Sequence, residues 1–486
     1  MKPPRSLLGP ARAVFEPGAP LAAAAALALF CAAAQAGETA LDRYIAKPEP
    51  AYRWELVRTI GAEDHQGFVL ELTSQRWRSE AEVDRTEWKH WLTIIRPAAA
   101  RPGVGFLFIG GGNNRNPAPT GLSERSLRLA VETGTVVADL GMVPNQPLTF
   151  SDAPERGRSE DDLIAYGRVR YIQTGDEEWL VRLPMVKSAV KALDAVQEFL
   201  KSGQGGPPLE VAEFVVAGGS KRGWTTWLTG VMDPRVKGII PMVIDALNTE
   251  AITRHHFEAY GFFSSALGDY VRHGLYPHWI GTPQFGAILD VEDPYRYRDR
   301  PRLRIPKFLI NASGDQYFLP DNSNFYFADM PEPKYLRYVP NTRHSLQDTD
   351  ARQSLQAFYE ALLAGRPLPR FSWTMAADGA IQVTAADAPA EVQLWQATNP
   401  EARDFRLDTL GPAWTGRPLE DQGGGRYVGR VEAPPQGWSA YFVELTYPSG
   451  GTYPFKFTTD VRVVPDVLPY RWEQAREKYA ATAPTP

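Results

Sequence analysis

Ser220 is the side chain best placed in this sequence to act as a nucleophile, because of what stands on either side of it. It lies in Gly218-Gly219-Ser220-Lys221-Arg222-Gly223, directly after the apolar run Phe214-Val215-Val216-Ala217 and directly before a helical pattern from Trp224 to Met232. A serine on a tight strand-to-helix turn needs small neighbours for the backbone to close, and the turn then exposes its Oγ. The N-terminus of the following helix favours the negative charge that develops in acyl transfer. The spacing departs from G-x-S-x-G, since Arg222 holds the last position and the glycine comes one residue later. Taken alone, the hexapeptide also describes a glycine turn capping a helix, with Ser220 and Lys221 incidental. Chain order separates the two readings.

A serine on such a turn needs an acid after a later strand and a histidine after one later still. Lys307 to Asn311 reads as a buried strand, and Asp315 follows on the loop at its carboxyl end. Tyr335 to Val339 reads as the next strand, followed by Pro340-Asn341-Thr342-Arg343-His344. His344 would take the Ser220 proton as general base, and Asp315 would fix its tautomer and stabilise the imidazolium. Asp321 competes for the acid's place but also suits an N-cap after Pro320; Asp245, after an earlier strand, is a weaker third candidate. The oxyanion would be held by the backbone N–H of Lys221, with Gly111 and Gly112 of the loop Gly110-Gly111-Gly112-Asn113-Asn114 as second donors. That loop lacks the GK[ST] ending of a P-loop and the spacing of a dinucleotide fingerprint.

Substrate contacts are expected from Arg222 and from an aromatic segment holding His255, His256, His273, His278 and Trp279, with His255, His256 and Trp279 as pocket wall. Lys221 and Arg222 could help bind an anionic substrate; on a first helical turn they suit solvation or pairing with Asp or Glu equally well. Adjacent histidines on a helix point in different directions, and no HExxH string or ligand-spaced carboxylate accompanies them. Neither a metal nor any other cofactor is expected.

The elements that must position these residues alternate. Phe68–Trp77 and Trp88–Ile95 read as an antiparallel pair. Continuous apolar runs follow near positions 104–109, 135–140, 214–217, 238–244 and 307–311, as in strands buried on both faces. Helical spacing falls between them at 122–132, 183–200, 224–232 and 346–363. This predicts an α/β fold, a mostly parallel sheet of about eight strands covered by helices, with the order of nucleophile, acid and histidine found in α/β hydrolases. The hydrolase domain is expected over 37–369, with residues 249–300 inserted as a cap. A period of two returns beyond Pro369, predicting an immunoglobulin-like β-sandwich over 370–465 and a frayed tail over 466–486.

Residues 1–36 read as a signal peptide: Lys2, Arg5 and Arg12, an apolar run from Leu21, then Ala34-Gln35-Ala36. The single cysteine, Cys31, lies within it. The mature chain would then have no thiol for a disulfide, a metal site or a nucleophile, and is expected to be exported, bacterial periplasmic or secreted, with no integral membrane segment. Without Lys2, Arg5, Arg12 and Glu16, which carry net +2, the formal charge of −5 becomes −7. A mildly acidic surface argues against a nucleic-acid partner.

Three strings carry a family resemblance: Gly219-Ser220-Lys221-Arg222-Gly223-Trp224-Thr225-Thr226-Trp227, Gly314-Asp315-Gln316-Tyr317-Phe318-Leu319-Pro320-Asp321, and Val339-Pro340-Asn341-Thr342-Arg343-His344. With Trp395–Asn399 and Arg403–Arg406 they resemble the PhoPQ-activated pathogenicity-related proteins, a family that takes in the autocrine proliferation repressors. The resemblance implies an exported α/β-hydrolase-like domain with a small β-rich domain after it, and Ser220, Asp315 and His344 stand at the positions matching the family's presumed triad. The nucleophile region is also similar to carbohydrate esterases, and the overall plan to peptidases with this fold. The expected activity is hydrolysis of a small-molecule or polymer-derived ester or amide through an acyl-serine, esterase before peptidase. The rival from another class is a secreted binding or signalling protein that keeps the fold without turnover.

Overall fold

The computed structural model describes residues 37–483. The leader reading, with Cys31 and the Ala34-Gln35-Ala36 site, falls outside the described residues. The chain begins with helix α1 (Ala40–Ala46) and strands β1 (Arg53–Gly61), β2 (His65–Arg76), β3 (Glu87–Pro97) and β4 (Gly103–Ile109). Then come α2 (Glu124–Thr133), β5 (Val137–Leu140) and a hairpin of β6 (Leu148–Phe150) with β7 (Ala153–Arg158). Helices α3 (Glu160–Thr174) and α4 (Arg182–Lys201) lead into β8 (Val211–Gly219), α5 (Lys221–Met232) and β9 (Val236–Met242).

Apart from the β6–β7 hairpin, which pairs only with itself, these strands with β10 (Lys307–Ala312) and β11 (Lys334–Val339) make one nine-stranded sheet in the order β1-β2-β3-β5-β4-β8-β9-β10-β11. The first three run antiparallel and the rest parallel to one another. The alternating sequences of β2 and β3 do pair, and the continuous apolar runs are buried on both faces. In β8, Phe214 and Val216 belong to one apolar cluster, and Val215 and Ala217 belong to the other. The first cluster is completed by α4 and α5, the second by α2 and by α9 (Ala351–Ala364), which follows β11. This is the α/β-hydrolase plan. Strands β5 and β8 lie on opposite sides of β4, so the winding direction reverses between β4 and β8. The crevice beyond the carboxyl ends of strands at such a switch is where ligands bind in open α/β sheets.

Two elements here have no clear periodicity in the sequence. Helix α3 buries eight consecutive residues, Asp161 to Arg168, so no polar face marks it. Strand β1 is a sheet edge with mostly exposed side chains. Between β9 and β10 the chain is helical, with α6 (Thr249–Tyr260), α7 (Gly268–Arg272) and α8 (Pro283–Glu292) at the place expected for the cap.

After α9 come β12 (Phe371–Met375), β13 (Ile381–Ala385), β14 (Glu391–Asn399), β15 (Thr415–Pro418), β16 (Arg426–Gly429), β17 (Trp438–Tyr447), β18 (Phe455–Thr458) and β19 (Arg462–Val464). They form two antiparallel sheets, β12-β13-β16 and β15-β14-β17-β18 with β19 also on β17. The sheets face each other closely: a Cβ at Gly429 would meet Val443 and Leu394 at 2.8 and 2.9 Å. In β17, Tyr441 and Val443 join the second cluster while Ala440 and Phe442 join the first. Among the described residues no helix is long and apolar enough to cross a membrane.

The tail is not frayed, which corrects the expectation from its charged, Ala-rich sequence. Trp472 is buried against Phe257 and Phe263 of the cap segment, with ring centroids 6.1 and 6.4 Å away. Helix α10 (Glu473–Lys478) follows it, the Lys478 Nζ donates to the Gly261 carbonyl at 2.7 Å, and the Tyr479 hydroxyl accepts the Phe263 N–H at 2.9 Å. One aromatic anchor outweighs the composition of its surroundings. Trp472→Ala is therefore expected to cost about 2–4 kcal/mol in urea unfolding followed by circular dichroism, and to speed proteolysis within residues 249–300. Unchanged values on both counts would mean that the tail does not hold the cap.

Candidate active site

Ser220 bridges the end of β8 and the start of α5 with φ 57° and ψ −126°. A left-handed φ is costly for a residue with a Cβ, at about 1–3 kcal/mol, so its surroundings must hold it. The Ser220 N–H donates to the Met242 carbonyl at 2.9 Å, extending the β8–β9 ladder one step into the turn, and the Ser220 carbonyl accepts the Trp224 N–H at 3.0 Å. The turn closes only because two positions lack a side chain. A Cβ at Gly218 would lie 2.6 Å from the Arg222 carbonyl, and one at Gly223 would lie 2.9 Å from the carbonyls of Gly218 and Met242. The displaced glycine of the sequence motif is thus the one that packing requires, and Arg222 at the intervening position points elsewhere.

Asp315 and His344 meet beyond the ends of β10 and β11. The His344 Nδ1 lies 2.8 Å from an Asp315 carboxylate oxygen, the His344 N–H donates to Gln316 Oε1 at 3.2 Å, and the Tyr317 N–H donates to Asp315 at 2.7 Å. The His344 Nε2 is buried and has no hydrogen-bond partner, so no bond joins it to the Ser220 Oγ. Tyr317 and Phe318 pack on the His344 ring at 4.5 and 5.9 Å, and both line the cavity that Ser220 also lines.

That cavity measures about 60 Å³. Apolar and aromatic walls come from Trp224, Ile244 and Ile252 with Leu267, Tyr270 and Tyr276, while Asp161, Arg168, Arg182 and Lys221 supply charge. Lys221 Nζ sits 2.8 Å from Asp161 and 3.3 Å from Glu160. Asp161 also accepts the Tyr270 hydroxyl at 2.8 Å. Arg222 forms a two-point pair with Glu160 at 2.8 and 2.6 Å and donates its Nε–H to the Val143 carbonyl. Burial alone would raise the Glu160 carboxyl, but the Arg222 hydrogen bonds and the charges of Arg222 and Lys221 hold it down at about 2. Arg222 does not line the cavity, which corrects its expected place among the substrate contacts: its fork is consumed by the start of α3.

The β4–β8 register ends by pairing Ile109 with Gly218, so the glycine loop leaves β4 next to the strand end that carries Ser220. Arg222 lies on this loop, with its Nη2 2.7 Å from where a Gly111 Cβ would stand. The Gly111 carbonyl accepts the Met142 N–H at 2.8 Å and the Gly112 carbonyl accepts Gln146 Nε2 at 3.0 Å. Neither glycine lines the cavity itself.

The remaining expected residues divide. His256 lines the cavity, and its Nε2 accepts the Ser264 N–H at 3.1 Å. Burial, with the charges of Arg406 and His255 adding to it, pushes the ring down to about 3, so it is neutral at physiological pH. His255 points away: its Nε2 lies 3.0 Å from Asp321, whose other oxygen pairs with Arg403. Asp321 stands at an N-cap position without capping through its side chain. Burial would raise its carboxyl, but Arg403 and His255 hold it far below the carboxylate range. It is tied into a buried link between the cap and the chain after β14, and is not available to His344. Trp279 packs against the core and does not line the cavity, so it and His255 are corrected as pocket wall. Asp245 is held by the hydroxyls of Tyr326 and Tyr338 and pushed up to about 8, chiefly by burial. Asp161, Arg168 and Arg182 are absent from the expected set, because α3 is buried without a break from Asp161 to Arg168 and shows no periodic signal, and Arg182 stands one residue before the helical spacing that starts at Leu183.

The family model described as PhoPQ-activated pathogenicity-related protein matches residues 41–406. The chain is similar to autocrine proliferation repressor protein A of Dictyostelium discoideum, with 36% identity over 474 residues, covering 91% of this chain and 94% of that protein. Among solved structures it is similar to an acetyl xylan esterase from Paenibacillus sp. R4, with TM-score 0.45 and 12% identity over 67% of this chain and 92% of that one. It is also similar to acetyl xylan esterase 1 from Thermoanaerobacterium, with TM-score 0.44 and 12% identity over 66% and 92%.

Gly223→Ala tests the turn. The added methyl meets backbone carbonyls that cannot swing aside, so a cost of about 1–3 kcal/mol is expected, with the Ser220 turn displaced. A crystal structure of the variant showing Ser220 still at positive φ, with unchanged stability, would contradict the role assigned to packing.

Proposed function

This chain belongs to the PhoPQ-activated pathogenicity-related protein family, and from that premise we propose that it is an exported serine hydrolase cleaving an ester or amide through an acyl-Ser220 intermediate. The observation that carries this reading is the strained Ser220 turn beside a cavity that Tyr317 and Phe318 also line, with the Asp315–His344 pair packed against those two rings. With Asp315 accepting the Nδ1–H, the Nε2 of His344 is left as the basic nitrogen. It takes the Ser220 proton as the Oγ attacks the carbonyl carbon, and returns it to the departing alcohol or amine. Water then enters by the same route in reverse and releases the acid. The Lys221 N–H, at the first position of α5 and without a helical partner, is the first donor to the oxyanion, and the Gly111 or Gly112 N–H is the second.

An ester suits the cavity better than a peptide's amino end. The carboxylate lining it, Asp161, is already held by Lys221 and Tyr270, so no free anion waits for an ammonium group. About 60 Å³ accepts roughly four water-sized groups, which suits a short substituent and excludes a long acyl chain.

A second reading follows from the relative's name, which records repression of proliferation and no reaction: a signalling protein that keeps the scaffold without turnover. The two readings part on a panel of short-chain esters and dipeptide amides. The hydrolase reading expects kcat/KM to fall about 10⁴-fold or more in Ser220→Ala and His344→Ala, and about 10³–10⁴-fold in Asp315→Asn. Equal rates for wild type and Ser220→Ala on every substrate would leave the signalling reading standing. Export is supported by the basic start, the apolar run and Ala34-Gln35-Ala36. N-terminal sequencing of protein secreted from a bacterial host is expected to begin at Gly37, and an intact Met1 would overturn it.

A further inference from the structure

Four charged side chains line the cavity beside Ser220, and three of them are paired. Asp161 and Lys221 hold each other at 2.8 Å, and Arg168 donates through its Nε to Glu292 at 2.8 Å. Arg182 is the exception. It is 1% exposed, yet it forms no ion pair with any described carboxylate. Its Nη1 donates to the Lys221 carbonyl at 3.1 Å and lies 3.8 Å from Met185 Sδ, while its Nε has no partner. Trp224 stacks under it, 4.5 Å from ring centroid to Cζ. Nearby, Arg168 Nη2 is likewise buried without a partner.

A guanidinium stays charged when buried, and a buried charge without a counter-ion costs several kcal/mol. The indole face offsets only part of that cost. Burial pushes Arg182 down, and Glu292 and Asp161 offset this through space while Arg168 opposes them. Among the groups at the turn the cations are Lys221, Arg222, Arg168 and Arg182, and the anions are Glu160, Asp161 and Glu292. One positive charge is left over, at the wall of the cavity.

We propose that this cavity binds a carboxylate carried by the substrate, with Arg182 as its counter-ion and Arg168 as a second donor, making the chain selective for esters of small acids or alcohols that bear a free carboxylate. The word substrate rests on the hydrolase reading, whereas the anion site does not. A carboxylate matches the planar fork of Arg182, fits the small cavity, and supplies the missing charge within reach of Ser220. Its position on the acyl side or the alcohol side of the ester is an outcome of the test.

The kinetic arms compare monomethyl fumarate with methyl crotonate, and acetoxyacetate with ethyl acetate, each pair differing in the carboxylate. Wild type is expected to prefer the charged member of one pair by at least tenfold in kcat/KM. Arg182→Gln should lower that ratio at least tenfold, and Arg182→Lys should recover part of it. The binding arm uses fumarate alone against fumaramide in thermal unfolding. Fumarate should raise the Tm of wild type and of Ser220→Ala, and leave Arg182→Gln unmoved. Circular dichroism verifies that each variant folds, and if Arg182→Gln does not, a weakened fumarate shift in Arg182→Lys supports the site in its place and an undiminished one counts against it. No charged preference in either pair together with no fumarate shift, or an undiminished shift in folded Arg182→Gln, would overturn the anion site. If no ester is turned over but fumarate still shifts Ser220→Ala and not Arg182→Gln, the hydrolase reading fails and the anion site stands.

Discussion

A single residue held at positive φ sets the terms for the rest of this structure. For the chain to leave β8 and enter α5 with a side chain standing clear at the turn, Ser220 must occupy backbone space that a residue with a Cβ avoids. The cost is met locally. Met242 on the neighbouring strand accepts its N–H, and Gly218 and Gly223 let the backbone of the turn pass within contact distance of itself. Strain of this kind clusters at functional sites, and it is one of the grounds for the nucleophile proposed at Ser220.

The charged residues around that turn brace it. Arg222 and Lys221 lie on the first turn of α5 and reach the first turn of α3, Arg222 at Glu160 and Lys221 at both Glu160 and Asp161. Glu160 is itself at φ 53°, so two strained positions are joined by an ion-pair network in which the Lys221–Asp161 pair is buried and Glu160 is partly exposed. Removing either partner of such a pair leaves an uncompensated buried charge, which costs more than the pair contributes. The same logic applies to a second buried cluster, Asp321, His255 and Arg403, and Trp472 packs from the tail onto Phe257 and Phe263 of the helical segment between β9 and β10. The cavity is left small and largely apolar, with one cation unmatched.

Much of this was legible in the sequence, for identifiable reasons. Strands buried on both faces announce themselves as continuous apolar runs, and β8, β10 and β11 were readable that way. Their carboxyl ends then located Ser220, Asp315 and His344 by chain order alone. What periodicity could not report was α3, buried from Asp161 to Arg168 with its charged groups paired to distant residues such as Lys221 and Glu292. Nor could it report Arg182, whose setting depends on Trp224 and Lys221 about forty residues on. Arg222 and His255 were misread for one reason: a charged or titratable side chain near a nucleophile looks like a substrate contact until its ion-pair partner, Glu160 or Asp321, is seen. Trp472 shows the reverse, since its exposed-looking context hid an aromatic anchor.

The central claim is that Ser220 is a chemically competent nucleophile served by His344. Incubating the folded, purified protein with a small fluorophosphonate and mapping the adduct by peptide mass spectrometry tests it directly. One covalent adduct per chain is predicted, on Ser220, formed at a rate that collapses in His344→Ala. An unmodified Ser220 in protein shown to be folded, or a labelling rate indifferent to His344, would contradict it.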